Sequence, residues 1–572
     1  MHASESLASK VCAPAHPRIF NLSSRVAHSM AHAGVYALPV ELLARIFELG
    51  REDAPSPDLQ PPGEPTFEVL VSHVCQHWRD VALRTPTLWT LVHFRTTPHL
   101  ARARAYLSRS GSQPLQIFVD TCAKDEYVPG WLLFRDEFHP VFDTVVPHIA
   151  RWRSLYLKVR DLACKRSARD VLSTCGAAPR LASLTLWHIE DWGTSERLYT
   201  AIGPPPVVVF AGRLPALRHV HLIGVNLPWS HSPFLRGLAS LELALHSDDV
   251  RIPFDRWHAM LAASPALERL SLTYSGPRAA APPWGPPARV RLPRLRELRL
   301  TDLDPPYLCA LVRTLDAPAL RTLHLELSDQ DFTPFVRMLA RPPPPSDGPL
   351  DPSLPYDDQG EEQDEEHEEH DEEGHADDEE GEGRGGEEKG EEGHGGRGPL
   401  FPALETLSIA ALECTLPSLR ALLAGAPRVR HLDAAFARMP PGALELLARD
   451  DDDDGGGVEG AGVQVEGAGE GAGEEGRGRA GAGRRRGPLL LPALTTARLA
   501  GVDGAALRRL MRARGRAVRT WYVHERWWDE ECERLMVECE RAGAARVEWF
   551  EGEEGEEGGR EEGGEEEGQE GV

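Results

Sequence analysis

The sequence predicts an α/β fold, a solenoid in which parallel strands line the inside of a curved stack of repeats and helices cover the outside. Three observations predict it. The pattern Leu-x-x-Leu-x-Leu recurs along the 572 residues of the chain. Stretches with helical spacing of apolar residues lie between the copies. The first leucines of six successive copies are 36, 21, 29, 28 and 25 residues apart, and most of these steps fall near the roughly 20–29 residues of one strand–helix repeat.

Ten segments carry the repeat, and most of them begin with Pro and one further residue. The seven clear copies are 179–186, 215–222, 238–243, 265–272, 293–300, 318–325 and 402–409, and the degenerate copies are 152–157, 427–432 and 492–499. Further helices are predicted at 100–109, 254–263, 307–315, 332–339 and 416–424, and a strand at 115–119. Stacked units of this kind form a leucine-rich-repeat solenoid. A closed sheet of unrelated strand–helix units is the alternative.

Two amphipathic helices are predicted before the repeats. In the first, Pro39 suits the opening position and Gly50 is placed to end the helix. Its apolar face consists of Leu42, Leu43, Ile46, Phe47 and Leu49. In the second, Thr66 is a candidate N-cap and Pro86 ends the run, and the apolar face consists of Val71, Val74, Cys75, Trp78, Val81 and Ala82. Two short helices bury this much apolar surface poorly alone, so they either cap the following domain or bind a partner.

The residue pattern of these helices resembles the F-box. Leu-Pro-x-Glu-Leu-Leu-x-x-Ile-Phe is followed by Val-x-x-Val-Cys-x-x-Trp-Arg-x-Val-Ala, and 87–92 is similar to the continuation in F-box proteins of mushroom-forming fungi. The resemblance implies docking on a Skp-type adaptor, and through it on a cullin ubiquitin ligase. The adaptor-binding residues that it implies are Leu38, Pro39, Leu42, Leu43, Ile46, Phe47, Val74, Cys75 and Trp78. The departure is an insert at 51–66, rich in Pro and acidic residues.

The rest of the chain divides by composition. We expect disorder at 1–34, an F-box at 35–95, a solenoid at 96–340 that continues at 399–448, and a terminal repeat with a helical cap rich in aromatic residues at 488–550. The inserts 341–398 and 449–487 and the tail 551–572 are expected to be disordered, because they hold too little apolar surface to offset the entropy of ordering. Their acidic parts, 357–397, 450–486 and 551–572, carry charges of −18, −5 and −10, which leaves about +7 for the remainder of the net −26.

A target site is predicted on the concave face of the solenoid. Side chains alternate along a strand, so residues between the core leucines face the open side. This reasoning selects Thr185, Trp187, His219, His221, Ser271, Thr273, Glu297, Arg299, Thr301, His324 and Glu326. The set is polar and mixed in charge, with one aromatic side chain expected to be exposed, which favours a protein or peptide ligand.

Other chemistry has weak support in the sequence. The chain has no Cys-x-x-Cys pair, and the spacing of His367, His370 and His375 does not match a metalloprotease motif. We therefore expect no catalytic residues, metal site or cofactor, and reduced cysteines in a protein of the cytoplasm or nucleus, without a membrane span. The resulting hypothesis is the substrate-recognition subunit of a Skp–cullin–F-box ubiquitin ligase with an unknown protein target. A leucine-rich-repeat binding scaffold without a ligase role is the alternative, and binding of nucleic acid or histones through the acidic and Arg-rich tracts is less favoured.

Overall fold

The structure is a computed structural model. It describes residues 38–55, 64–96, 99–122, 133, 135–160, 162–188, 206–225, 227–248, 250–278, 289–340, 399–448, 490–502, 504–514, 517–523, 530–541 and 546–549. The predictions for 1–34, 341–398, 449–487 and 551–572, and for most of the insert 51–66, lie outside the described residues.

The architecture is one large parallel sheet with helices on one side. Fourteen strands are hydrogen-bonded in chain order, and a two-stranded sheet of β8 and β10 lies apart from them. The strands are β1 Leu91–Phe94, β2 Leu115–Asp120, β3 Trp152–Val159, β4 Ser183–His188, β5 His219–Ile223, β6 Ser240–Ala244, β7 Arg269–Thr273, β8 Val290–Arg291, β9 Glu297–Thr301, β10 Leu315–Asp316, β11 Thr322–Leu327, β12 Thr406–Leu412, β13 His431–Ala435, β14 Thr496–Ala500, β15 Thr520–Val523 and β16 Arg546–Trp549. Among the described strands, β1 pairs only with β2 and β16 only with β15, so the sheet has two open edges and the closed-sheet alternative is wrong.

All ten predicted copies of the repeat form strands of this sheet. Leu184, Val220 and Leu241 lie side by side in register, and each is buried. Two residues further on, Leu186 and Leu222 form a second buried row. The alternation of side chains along each strand therefore turns one leucine-rich face toward the core and the intervening residues toward the open face. We call this open face the concave face, because a repeat solenoid is expected to curve around it.

Most of the helices cover the leucine-rich face of the sheet, and the first three pack at its N-terminal end, where they also border the concave face. The helices are α1 Val40–Glu52, α2 Phe67–Val74, α3 Gln76–Leu83, α4 His99–Arg109, α5 Arg135–Val145, α6 Leu162–Thr174, α7 Phe254–Ala262, α8 Pro305–Arg313, α9 Thr333–Ala340, α10 Leu416–Ala424, α11 Ala443–Ala448, α12 Gly504–Arg514 and α13 Glu530–Arg541. The five helices predicted at 100–109, 254–263, 307–315, 332–339 and 416–424 are confirmed within two residues at either end. Between β4 and β6 the described residues of the connections include short 3₁₀ turns at Val209–Gly212 and Trp229–His231.

A left-handed residue follows several strands. Gly224, Leu245, Tyr274 and Asp302 have φ of 62°, 57°, 45° and 49°. The backbone N–H of each donates to a carbonyl of the next strand, at 2.9 to 3.0 Å for these four positions. At Gly224 the requirement is strict, since a Cβ there would lie 2.6 Å from the carbonyl oxygen of His188.

The N-terminal segment forms three helices, where two were predicted. Cys75 is extended, with φ −159° and ψ 171°, and separates α2 from α3. Its Sγ accepts a hydrogen bond from the backbone N–H of Trp78 at 3.4 Å, so it acts as the N-cap of α3. Gly50 does not end α1, which continues to Glu52. Instead, Gly50 packs against the Phe67 ring, where a Cβ would lie only 2.5 Å away.

The sheet extends past the predicted repeats at both ends. It begins at Leu91, inside the stretch 35–95 that the sequence assigned to the F-box. At the other end, the stretch predicted as a helical cap adds β15 and β16 beside α13. Trp521 is buried in β15, so its aromatic ring occupies the place that leucine holds in earlier repeats.

Candidate partner-binding surfaces

The three N-terminal helices expose an unusual amount of apolar surface. Among the described residues, ten large hydrophobic side chains are exposed, and seven of them lie on α1, α2 and α3. Leu42, Ile46 and Leu49 are spaced i, i+4 and i+7, so they follow one side of α1, and they are 53%, 50% and 44% exposed. We call these three residues the α1 stripe. Apolar side chains grouped in this way are typical of a surface that binds another protein.

A second group of exposed side chains lies on α2. Leu70 and Val74 are one helical turn apart and are 52% and 60% exposed. We call this pair the α2 stripe. Since α1 packs against both α2 and α3, the stripes belong to one helical unit.

The predicted adaptor-binding residues divide into three groups in the structure, which are buried, half-buried and exposed. Leu43 and Phe47 are each 1% exposed and belong to the core, so they cannot contact a partner directly and the prediction of a single apolar face on α1 is corrected. Pro39, Leu42, Ile46 and Val74 are exposed, whereas Leu38, Cys75 and Trp78 are half-buried. The split arises because the apolar residues cover more of the circumference of α1 than its packing can bury. The sequence prediction omitted Leu49 and Leu70.

The helices are attached firmly to the first repeat. Arg51 Nε donates to the carbonyl of Leu88 at 3.1 Å, and Trp89 Nε1 donates to the carbonyl of Ala82 at 2.8 Å. The buried carboxylate of Glu68 accepts hydrogen bonds from the Thr66 and Tyr106 hydroxyls at 2.6 and 2.9 Å. These contacts satisfy polar groups that would otherwise be costly to bury. The α1 and α2 stripes are therefore presented on a fixed platform.

Two histidines are buried at the same junction. The His93 and His99 rings stack with centroids 4.6 Å apart. Burial, with the nearby Arg102 charge, lowers the pKa of His93 to about 2, and the same two causes lower the pKa of His99 to about 3. His99 Nδ1 accepts from the backbone N–H of Arg95 at 3.0 Å. Both imidazoles are therefore neutral at physiological pH.

The concave face carries a continuous row of polar side chains. Thr185, His221, Glu242, Ser271, Arg299, His324, Ser408, Asp433 and Arg498 are neighbours in register on successive strands. Thr185, His221, Ser271, Arg299 and His324 were predicted to share this face, and all five are half-buried. The sequence prediction omitted the other members of the row. Glu242 could have been found from the sequence, because it occupies the same position in its copy of the repeat as His221.

Polar side chains on this face contact one another between strands and within them. His221 Nδ1 lies 3.1 Å from Glu242 Oε2, and His324 Nε2 lies 3.7 Å from Glu297 Oε1. Arg299 also reaches Glu297, at 3.9 Å. Burial and the Arg299 charge lower the pKa of His324, although Glu297 opposes the shift. The face therefore offers alternating donors and acceptors in a fixed arrangement.

The remaining predicted target residues flank this row. His219 and Glu297 lie at the start of their strands, and Trp187, Thr273, Thr301 and Glu326 lie at the other end. Trp187, predicted to be exposed, is half-buried, with Lys158 Nζ 4.1 Å from its ring centroid. Thr301 is only 7% exposed, so its side chain is largely removed from the open surface. Both corrections reflect covering by neighbouring side chains, which the strand pattern does not reveal.

An open cavity of about 510 Å³ lies where the helices meet the concave face. Its walls include Arg51, Glu52 and Phe67 from the helical side, and Tyr156 and Thr185 from the sheet. The Tyr156 ring stacks on Phe118 with centroids 4.4 Å apart and planes 5° apart. A flat aromatic pair beside polar side chains suits a peptide segment better than a wholly apolar ligand.

Within the described part of the chain, no group of three or more His, Cys, Asp or Glu side chains is arranged to hold a metal ion. None of its helices is both long and apolar enough to cross a membrane. The prediction about His367, His370 and His375 lies outside these residues. No protein-family model matches the chain, and the comparison with curated proteins finds no significant match either.

Proposed function

We propose that this chain is the substrate-recognition subunit of a Skp–cullin–F-box ubiquitin ligase, acting in the cytoplasm or nucleus. In this proposal α1, α2 and α3 dock on a Skp-type adaptor, which connects them to a cullin. Two lines of support meet here. The sequence of these helices resembles the F-box, and the same helices expose the α1 and α2 stripes.

The observation that carries the proposal is the exposure of the α1 stripe. Leu42 and Ile46 are each about half exposed on a helix whose opposite side is anchored by Leu43 and Phe47. Burying a fully exposed side chain of this kind contributes about 1.5–3 kcal/mol, so covering the exposed half of Leu42 or Ile46 contributes about half as much. The exposed side chains of both stripes therefore supply a substantial part of the binding free energy, and further contacts offset the rest of the cost of association.

The target is proposed to be a protein that binds the concave face. Paired polar side chains such as His221 and Glu242, and the cavity beside Tyr156, provide hydrogen bonds and one aromatic contact. Trp187 and Arg299 are the preferred anchors, because Trp and Arg are enriched among residues that dominate binding energy. Replacing both with Ala should weaken target capture without affecting adaptor binding.

The chain itself is proposed to be non-catalytic and to need no cofactor. A receptor in such a ligase holds its target close to a charged conjugating enzyme, and the gain in rate comes from proximity.

A binding scaffold with no ligase role is the second candidate. The anchoring of Arg51 on Leu88 and of Glu68 on Tyr106 favours it, since helices held in this way protect the end of the sheet whether or not they bind an adaptor. The two candidates differ in whether the exposed stripes have a partner.

Affinity purification from the source cell, followed by mass spectrometry, separates the candidates. The intact chain should recover a Skp-type adaptor and a cullin together with target proteins. Leu42→Asp with Ile46→Asp should lose the adaptor and the cullin but retain targets, because both side chains lie outside the core. A matched control, Val208→Asp with Val537→Asp, changes two exposed apolar side chains elsewhere and should behave as wild type. Recovery of targets but no adaptor by the intact chain would favour the scaffold.

A further inference from the structure

A row of arginines follows the edge of the sheet at which the strands begin. Each occupies the same place in its repeat, directly before the first residue that faces the concave side. All members are exposed. We call this row the arginine ridge, and it consists of Arg153, Arg218, Arg296, Arg321, Arg430 and Arg519.

The backbone fixes the positions of the ridge. Eleven equivalent residues form an unbroken ladder, in which the N–H of one donates to the carbonyl of the previous one at 2.7 to 2.9 Å. For example, the N–H of Arg321 donates to Arg296, and the N–H of Glu405 donates to Arg321. With strands about 4.8 Å apart, the ladder is about 48 Å long. The arginines occupy positions 1, 3, 6, 7, 9 and 11 of this ladder, so they project from one edge at intervals of one to three strand spacings.

Most of this charge is not neutralised within the described part of the chain. Arg321 lies 3.5 Å from Glu405, but no described carboxylate pairs with Arg153, Arg296, Arg430 or Arg519. Three further exposed arginines, Arg180, Arg294 and Arg428, lie two residues before ladder positions. Only Glu268 and Glu405 interrupt the ladder with negative charge.

Beside the ends of three strands, β9, β11 and β12, the opposite edge of the sheet exposes acidic side chains. These are Asp304, Asp329, Asp331 and Glu413. In this part of the sheet an anionic ligand is favoured at the ridge over the opposite edge.

We infer that the arginine ridge binds an acidic segment of a partner protein in an extended conformation. An extended chain rises about 3.3 Å per residue and places every second side chain on one face, so carboxylates recur about every 7 Å. The flexible arginine side chains can reach carboxylates at this spacing. A segment of about 15 residues spans the ladder.

The ridge suits a peptide better than a nucleic acid. Glu268 and Glu405 stand within the ladder, where the unbroken charge of a phosphate backbone would be repelled. A peptide avoids this repulsion by placing neutral or basic residues opposite them. The inference is independent of adaptor docking, since the ridge and the α1 stripe share no residue.

Fluorescence anisotropy on the full chain tests the inference. The probe is a labelled peptide of about 15 residues with Glu at alternate positions and Ser between them. Arg296→Gln, Arg321→Gln and Arg430→Gln together should weaken binding about ten-fold, as expected for the loss of three partly screened charge contacts. The control Arg256→Gln, Arg337→Gln and Arg438→Gln makes the same change in net charge away from the ridge and should stay within about two-fold of wild type.

Two results would overturn the inference. If the peptide does not bind, or if the ridge and control variants weaken its binding equally, the ridge is not its site. If single-stranded DNA of equal charge binds more tightly than the peptide, with the same dependence on the ridge, the surface recognises nucleic acid and the acidic-peptide assignment is wrong. Unchanged thermal unfolding of both triple variants is the control for folding.

Discussion

The Phe47 ring of α1 packs against the Trp78 ring of α3, with centroids 5.0 Å apart and planes tilted by 57°. Phe47 is buried, whereas Trp78 is half-buried at the surface. This contact fixes how α1 is rotated on the helices below it. It turns Leu43 and Phe47 inward and leaves the α1 stripe outside.

Neighbouring residues of α1 should therefore respond oppositely to truncation. Phe47→Ala should lower the free energy of unfolding by about 3–5 kcal/mol, because it opens a cavity in the core. Ile46→Ala should change it by less than about 0.5 kcal/mol but weaken adaptor binding. Chemical denaturation measures the first effect and a pull-down the second. Equal destabilisation by the two variants would mean that α1 is rotated differently.

The buried histidines predict acid sensitivity. Unfolded histidine has a pKa of about 6.5, whereas burial lowers the pKa of His93 to about 2. Between these values the unfolded chain binds a proton that the folded chain does not. The free energy of unfolding is therefore unaffected by His93 above about pH 6.5 and decreases as the pH falls. At pH 5 the decrease due to this group is about 2 kcal/mol.

His93→Phe tests this linkage, because Phe fills similar space and does not titrate. The loss of stability between pH 7.5 and pH 5, measured by denaturant unfolding, should shrink by about 2 kcal/mol in this variant. His431→Phe changes an exposed histidine and should leave the pH dependence as it is in wild type. An unaltered pH dependence in His93→Phe would show that this imidazole does not control acid stability.

Arg514 holds the C-terminal repeats together from the interior. It is 2% exposed, and its guanidinium donates to the carbonyls of Leu447 at 2.8 Å and Leu491 at 3.2 Å, and also to that of Leu490. Arg514→Met should cost about 3 kcal/mol or more, because three buried acceptors lose their donor. Arg512→Met removes an exposed arginine that pairs with Glu531 and should cost less than about 1 kcal/mol. Thermal unfolding of the two variants measures the difference, and similar values would contradict it.

Two glycines with positive φ differ in their surroundings. A Cβ at Gly224 would lie 2.6 Å from the His188 carbonyl, whereas at Gly111 nothing lies within 4 Å. Gly111→Ala should cost only the backbone strain, about 1–2 kcal/mol. Gly224→Ala should cost clearly more, since strands β4 and β5 must separate. Equal melting temperatures of the two variants would show that the loop adjusts freely.

The strands could be predicted from the sequence, but the exposure of individual side chains on α1 and on the concave face could not. Leucines such as Leu184 and Leu186 define a strand locally, because a period of two leaves one choice of buried face. On α1 the pattern from Leu42 to Leu49 fits burial on either side, and only the contact between Phe47 and Trp78 decides which half is exposed. The partial burial of Trp187 depends likewise on Lys158, which lies far away in sequence.

The terminal repeats could not be recognised from the leucine pattern either. Trp521 in β15 replaces the leucine of the pattern, so the strand is absent from a search for Leu-x-x-Leu-x-Leu. Its place is set by pairing with β14, where Trp521 lies in register with Ala497. A large side chain beside a small one fills the row as two leucines would.

Isothermal titration of the purified full chain with a purified Skp-type adaptor tests the central proposal most directly. The account predicts a one-to-one complex, with binding lost on Leu42→Asp and Ile46→Asp and kept in the control Val208→Asp and Val537→Asp. Circular dichroism should show equal folding of both variants, because all four side chains lie outside the core. Absence of binding by the intact chain, or undiminished binding by the Leu42→Asp and Ile46→Asp variant, would contradict the proposed docking through α1.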